Sequence, residues 1–366
     1  MKNTLKVSQK FFLFNAYSNY DPDKLFISGS DRVGIELLNL SKSKNFVIGP
    51  KILKNLIKSN NFEFINSDLL ETKVLLIDYF LRTFFTVYIL FRKNLNSSEI
   101  VSTSDFFCDT IPAFLFSKKS KWYAFLFHIY PRKISVRNVF GGLIQNFSFL
   151  LFKNSFKVLT TNRECENFLI KNFRIKQVQK INLGISIPKP KSVDLERIYD
   201  LAFVGRIKDS KGVFFLPDIV LKLKTKFPNI NVLVIGNGTG SDISKLNSLI
   251  VSYKLSSNLK LLSNVTDQKL SDYLSQTKYL IQLSSEEGFG LVIPEALFCG
   301  AGVVGFDLNV YRDNFYDLEL NMVSQGSTQE LVETCSSLLV NYKGPVKIEN
   351  SISRFDWKSI YQSIFG

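Results

Sequence analysis

A chain of 366 residues, 45% hydrophobic and 21% charged, is long enough for two domains and too apolar for extended disorder. Four scattered cysteines (Cys108, Cys165, Cys299, Cys335) and one histidine, His128, match neither a disulfide framework nor a zinc site, and fit a reducing compartment. The net charge of +14 belongs to one half. Residues 1–192 hold 29 Lys and Arg against 13 Asp and Glu, a net +16, whereas residues 193–366 hold 17 against 19; a one-sided positive field points to an anionic partner.

In chain order, residues 1–10 are polar and carry no secretory pattern. No apolar run reaches the roughly 18 residues of a membrane span. The nearest, residues 74–91, is interrupted by Asp78 and Arg82, which at i, i+4 can pair on one helix face. In the first half, β-forming runs predict strands at residues 11–16, 46–48, 62–65, 100–103, 122–128 and 157–161. In the second half, strands are predicted at 201–204, 231–235, 259–262, 279–283, 303–306 and 322–324, with helices at 212–227, 241–253, 268–276 and 328–339. Strands alternating with helices predict βαβ units and parallel sheets, hence an α/β fold. The domain boundary falls at residues 187–193, where Pro188 and Pro190 discourage regular structure and the charge changes sign.

Three loops carry candidate chemistry, each at the C-terminal end of a predicted strand, the edge where open α/β sheets bind ligands. In Glu287-Gly-Phe-Gly-Leu-Val-Ile-Pro-Glu295, Gly288 and Gly290 permit close backbone approach. A helix starting at Leu291 and Val292 offers free N–H groups to a phosphate, and Glu295 lies about one turn further on. In Phe203-Val-Gly-Arg-Ile-Lys-Asp-Ser-Lys-Gly212, Gly205 makes the turn while Arg206 and Lys211 place two cations beside a diphosphate. The third loop, Gly236-Asn-Gly238-Thr-Gly240, hints at a dinucleotide fold, but no acidic residue closes the next strand to hold a ribose. Asp21-Pro-Asp23 has the look of a metal-binding Asp-x-Asp but reads as Asp-Pro turn chemistry.

Together these loops resemble the retaining glycosyltransferases of GT-B fold, in the large family that includes glycogen-synthase-like and mannosyltransferase-like enzymes. The resemblance is best from about residue 201 to residue 306. Val204-Gly-Arg206 with Lys211-Gly212 resembles the family's phosphate-binding turn, and Glu287 and Glu295 resemble its paired glutamates. Residues 261–276 are similar to the segment before the Glu strand, and Phe355-Asp-Trp357 to the start of the last helix, which crosses back to the first domain. Ser28-Gly29-Ser-Asp31 is similar to the family's Gly-Gly-Ser-acidic loop, and Ser102-Thr-Ser-Asp105 and the strand ending at His128 also look familiar. One departure follows Phe306: where Gly-Gly and Glu are frequent, this chain reads Asp307-Leu-Asn-Val-Tyr-Arg312.

The resemblance implies two Rossmann-like domains facing across a cleft. Residues 1–190 would bind the acceptor, residues 191–348 the nucleotide sugar, and residues 349–366 would cross back. It implies that Arg206 and Lys211 hold the diphosphate of a nucleotide-diphosphate sugar, with help from the backbone at Gly290, Leu291 and Val292. Glu295 would bind the ribose and Glu287 a donor-sugar hydroxyl. Gly205, Gly236, Gly238 and Gly29 would approach the ligand, and His128 is a catalytic candidate. The acceptor hydroxyl, on a glycan or a lipid-linked carrier, would attack with retention. No metal and no separate cofactor are expected. The basic first half, with the aromatic stretches 81–93 and 139–153, adds an expectation of cytoplasmic location with peripheral contact on an anionic inner leaflet. Two alternatives stay open: a non-catalytic GT-B-like scaffold, and a nucleic-acid-binding protein using the basic half. No recognised nucleic-acid motif accompanies the charge, so no nucleic-acid partner is expected.

Overall fold

The computed structural model describes residues 9–17, 28–57, 61–68, 72, 74–129, 136–190, 195–347 and 351–366. Asp21 and Asp23 lie outside the described residues. The chain forms two compact units, residues 1–183 with 360–366, and residues 184–359.

The first unit runs β1 (Gln9–Leu13), α1 (Gly29–Leu40), β2 (Lys44–Gly49), β3 (Phe62–Asn66), α2 (Leu75–Arg92), β4 (Ser98–Ser102), α3 (Phe107–Phe116), β5 (Ser120–Leu126), α4 (Val136–Leu151), β6 (Lys157–Thr160), α5 (Arg163–Phe173) and β7 (Val178–Lys180). The strands form one parallel sheet in the order β3-β2-β1-β4-β5-β6-β7. Phe11 lies in register with Phe46 and Ile100, and its ring stacks on Phe46 at 4.7 Å. Burial of such apolar strands on both faces is what a parallel sheet between helices requires. β7 has no sequence signal: Val178-Gln-Lys180 is short, polar and half-exposed at the sheet's edge.

The second unit runs β8 (Tyr199–Val204), α6 (Leu216–Lys224), β9 (Val232–Ile235), α7 (Gly240–Ser252), β10 (Leu259–Leu262), α8 (Asp267–Ser275), β11 (Thr277–Gln282), α9 (Val292–Phe298), β12 (Gly302–Phe306), α10 (Asn309–Asn314), β13 (Asn321–Val323) and α11 (Thr328–Val340). Its parallel sheet has the order β10-β9-β8-β11-β12-β13. The helix expected over 212–227 starts later, because two 3-10 turns, Asp209–Lys211 and Val213–Phe215, precede α6. Buried Arg197 donates to the carbonyls of Leu274, Thr277 and Cys299, which ties the ends of α8 and α9 to the start of β11. The last helix, α12 (Trp357–Phe365), begins in the second unit, where Trp357 packs on Gly184 and donates to Ser186 Oγ at 3.1 Å; its residues from Ile360 belong to the first.

Each unit is therefore Rossmann-like, and each has one point where the chain leaves the centre of its sheet in opposite directions. It lies between β1 and β4 in the first unit and between β8 and β11 in the second. Loops beyond the strand ends at such a point form the customary ligand crevice.

Candidate functional site

In the second unit the β8 loop turns under the control of Ile207. This side chain is buried, its N–H donates to the Asn237 carbonyl at 2.8 Å, and it bridges to Gly238. Anchoring Ile207 inward sends its neighbours Arg206 and Lys208 the other way; Arg206 is exposed and Lys208 half-buried. The following 3-10 turn ends at Gly212 with φ +70°, where a Cβ would strike the Leu283 carbonyl. Only glycine lets this loop lie against the end of β11. The Ser285 N–H donates to the Ser210 carbonyl at 3.0 Å and closes the contact.

That packing delivers Lys211 to Glu287, Nζ to Oε1 at 2.5 Å, and Ser284 Oγ donates to the same oxygen at 2.8 Å. Two residues expected to serve different parts of a ligand thus pair with each other. The cations crowd in turn. Burial first, then the charges of Arg206 and Lys211, lower the Lys208 ammonium below its usual value, and Glu286 and Glu287 offset this only in part. Mutually repelling, partly desolvated cations at a strand end favour an anion between them. Lys208 was missed in the sequence, although the alternation around Ile207 contains the signal.

Beyond Glu287, Gly290 takes φ +93° over the Tyr311 ring, and a Cβ there would come within 2.8 Å of Tyr311 Cε1. α9 follows with Leu291 at its cap and Val292 as its first residue. The Ile293 N–H is already used by the Gly290 carbonyl at 3.0 Å, which leaves Leu291 and Val292 as the backbone nearest the loop. Glu295, one turn in, is only 3% exposed. Gly236 packs directly on the Gly205 carbonyl, so these glycines join neighbouring loops as well as lining the edge.

The corresponding point of the first unit is built differently. The Asn15 N–H, just past β1, donates to Asp109 Oδ1 at 2.8 Å, and Ser104 Oγ donates to Oδ2 at 2.6 Å. Burial outweighs these bonds and raises Asp109 from 3.8 to about 7. Asp105 is also raised by burial, with His128 and Gln145 drawing it back. The Gln145 amide donates to Asp105 Oδ2 at 2.7 Å and to the His128 carbonyl at 2.9 Å, leaving His128 exposed beyond β5. Gly29 opens α1, and the loop around it is occupied in a capping box between Ser28 and Asp31. The expected Asp78–Arg82 pair does not form: Arg82 Nε meets Asp68 Oδ1 at 2.8 Å, and its Nη1 donates to the carbonyls of Asn15 and Tyr17.

Solved structures share the fold over nearly the whole chain: Anabaena HepE in complex with UDP and glucose (TM-score 0.73, 16% identity, 98% of each chain) and sucrose-phosphate synthase from Thermosynechococcus elongatus (TM-score 0.76, 14% identity, 98% and 97%). The phosphatidyl-myo-inositol mannosyltransferase of Mycobacterium tuberculosis is 27% identical over 173 residues, 44% of this chain and 44% of that protein. The D-inositol 3-phosphate glycosyltransferase of Mycolicibacterium smegmatis is 33% identical over 111 residues, 28% of this chain and 24% of that protein. This chain thus spans less than half the length of the curated relatives it matches. The model of the family described as glycosyl transferases group 1 matches residues 189–354, the unit that holds Arg206, Lys211, Glu287 and Glu295. With its GT-B fold and this match, the chain carries a glycosyl transferases group 1 domain.

Proposed function

We propose that the protein transfers a sugar, with retention, from a nucleotide-diphosphate sugar to an acceptor hydroxyl. The observation that carries this reading is the crowding of Arg206, Lys208 and Lys211 against Glu287 between β8 and β11. The diphosphate sits among the three cations, which stabilise the negative charge that grows as it departs. Glu287 orients the donor sugar through a hydroxyl and Glu295 takes the ribose. The backbone at Gly205, Gly236, Gly238 and Gly290–Val292 shapes the pocket around them. One solved neighbour, Anabaena HepE, holds UDP and glucose in one structure and UDP-glucose in another, which supports a nucleotide sugar as donor here. A thermal-shift screen over UDP-, GDP- and ADP-hexoses tests the reading. A donor at about 100 times its dissociation constant stabilises by about 2.7 kcal/mol. Failure of every donor to raise the melting temperature contradicts it.

The acceptor is proposed to be lipid-linked, reached at an anionic inner leaflet on the cytoplasmic side, and one helix supports this. On α2, Ile77, Phe80, Phe84, Tyr88 and Phe91 are all exposed, Phe84 at 71% and Phe91 at 75%. At 100° per residue they fall within an arc of about 80°. The opposite face buries Asp78, Arg82, Thr83 and Thr86 against the protein. A helix that buries four polar side chains beside Tyr79 and Leu90 and exposes an aromatic face suits an apolar phase outside the protein. On α4, Leu143, Phe147 and Leu150 are exposed likewise, while Phe149 and Phe152, in the second aromatic stretch, belong to the core. Arg92, Lys118 and Lys119 are exposed near these faces, and the +16 of residues 1–192 complements anionic lipid and disfavours pairing with a second copy. Among the described residues no helix is long and apolar enough to cross a membrane.

A further inference from the structure

The segment after β12, where the sequence departs from the family pattern, puts Tyr311 of α10 under the Glu287 loop. Tyr311 is 1% exposed; its ring supports Gly290 and leans on Phe315. Gln282 and Ser284 flank its hydroxyl, yet among the described residues none makes a hydrogen bond with that oxygen. Burial and the Glu287 charge hold the phenol well above its ordinary value, so it stays a donor throughout the physiological range. Lys211 and Ser284 both engage Oε1 of Glu287, and among the described residues none gives Oε2 a hydrogen bond or an ion pair.

The ion pair and the proposed function make competing demands on Lys211. An ammonium that turns to a diphosphate leaves Glu287, and a partly buried carboxylate stripped of its cation needs another donor. The buried, unpartnered hydroxyl of the ring packed under the same loop at Gly290 has that chemistry. Resting on the proposed function, we infer that Tyr311 is a positioning residue that donates to Glu287 when Lys211 moves to the donor diphosphate. The exchange keeps the carboxylate aimed so that a lone pair remains for the sugar hydroxyl. A nucleoside diphosphate alone also draws Lys211 away, and the sugar uses the orientation that Tyr311 preserves.

Two arms test this. Without ligand, Tyr311→Phe removes a buried hydroxyl that bonds nothing and raises the melting temperature by about 2 °C. In a Lys211→Met background, where the exchange has already happened, the same substitution lowers it. Equal effects in both backgrounds overturn the exchange. With ligand, Tyr311→Phe weakens UDP, GDP or ADP, and the nucleotide hexose that stabilises the parent, by about tenfold where Lys211 is present and leaves their affinities unchanged in the Lys211→Met background, whereas a merely structural role weakens them equally in both backgrounds and overturns the inference. A sign inversion in a protein that no nucleotide hexose stabilises overturns the proposed function instead, and leaves the hydrogen-bond exchange standing.

Discussion

The two units repeat one topology and use its central switch point in opposite ways. Between β8 and β11 the loops gather exposed or half-buried charges: Arg206, Lys208, Lys211, Glu286 and Glu287. Between β1 and β4 the polar groups are sealed in: Asn15, Ser104, Asp105 and Asp109 are all buried and tied to one another or to Gln145. The same edge of the same fold thus gathers solvent-facing charge in one unit and serves as an internal polar core in the other. A Rossmann-like topology places a crevice, and only the residues beyond the strand ends decide whether it is occupied by protein or kept for a ligand.

The largest expected effect breaks the sealed side. Asp109 has a folded value near 7 against 3.8 for the ordinary carboxyl. Between those pH values the folded protein holds a proton that the unfolded chain has released, so stability falls as pH rises and levels off above about 7. At 1.36 kcal/mol per unit, the loss amounts to about 4 kcal/mol. Asp109→Asn can still accept from the Asn15 N–H and donate to Ser104, but has no charge to bury. Denaturant melts from pH 4 to 8 should slope less in the variant, which gains stability over the parent above pH 7. Parallel profiles would mean that the carboxylate is already ionised and compensated.

Arg206→Ala or Lys211→Ala tests the charged side. Each removes one preorganised group facing the leaving diphosphate, an expected cost of about 3 kcal/mol, or about a hundredfold in turnover. The fold should survive, because Arg206 is exposed and the loop is held by Ile207 and Gly212. Turnover at the parent rate in either variant contradicts the assignment.

How much of this contrast the sequence carried depends on what each signal measures. Strand–helix alternation placed twelve of the strands, because runs such as Val232–Ile235 are buried on both faces and apolar throughout. The loops of the second unit were legible because their glycines and charges lie close together in sequence. Tyr311 was not: nothing local shows that its ring will lie under Gly290, twenty-one residues earlier. Nor does helical periodicity say which face of α2 meets the protein. A stripe of Ile77, Phe80, Phe84, Tyr88 and Phe91 reads as core until the buried Arg82 and its carbonyl partners appear on the other side.

That reversal yields a smaller effect. If α2 lies in a bilayer interface, Phe84→Ser and Phe91→Ser each weaken partition into anionic vesicles by roughly 1–2 kcal/mol, about tenfold, and leave the melting temperature unchanged because both rings are solvent-exposed. Flotation should also rise with anionic lipid and fall at high salt. Equal recovery of parent and variants, or indifference to lipid charge, would favour a soluble acceptor.

The smallest expected effect is none, under excess chelator. A diphosphate leaving group must have its growing charge met by something. Here three cations, Arg206, Lys208 and Lys211, already converge on one strand end, where burial and then the charges of Arg206 and Lys211 lower the Lys208 ammonium. A divalent ion added among them would meet repulsion from all three, while a diphosphate relieves it. Activity measured with EDTA and without it should therefore coincide. A complete loss restored by Mn²⁺ would move the charge-neutralising role from the second unit to a metal site. It would revive Asp21 and Asp23, and the first unit, in place of the second, would then supply the group that meets the leaving charge.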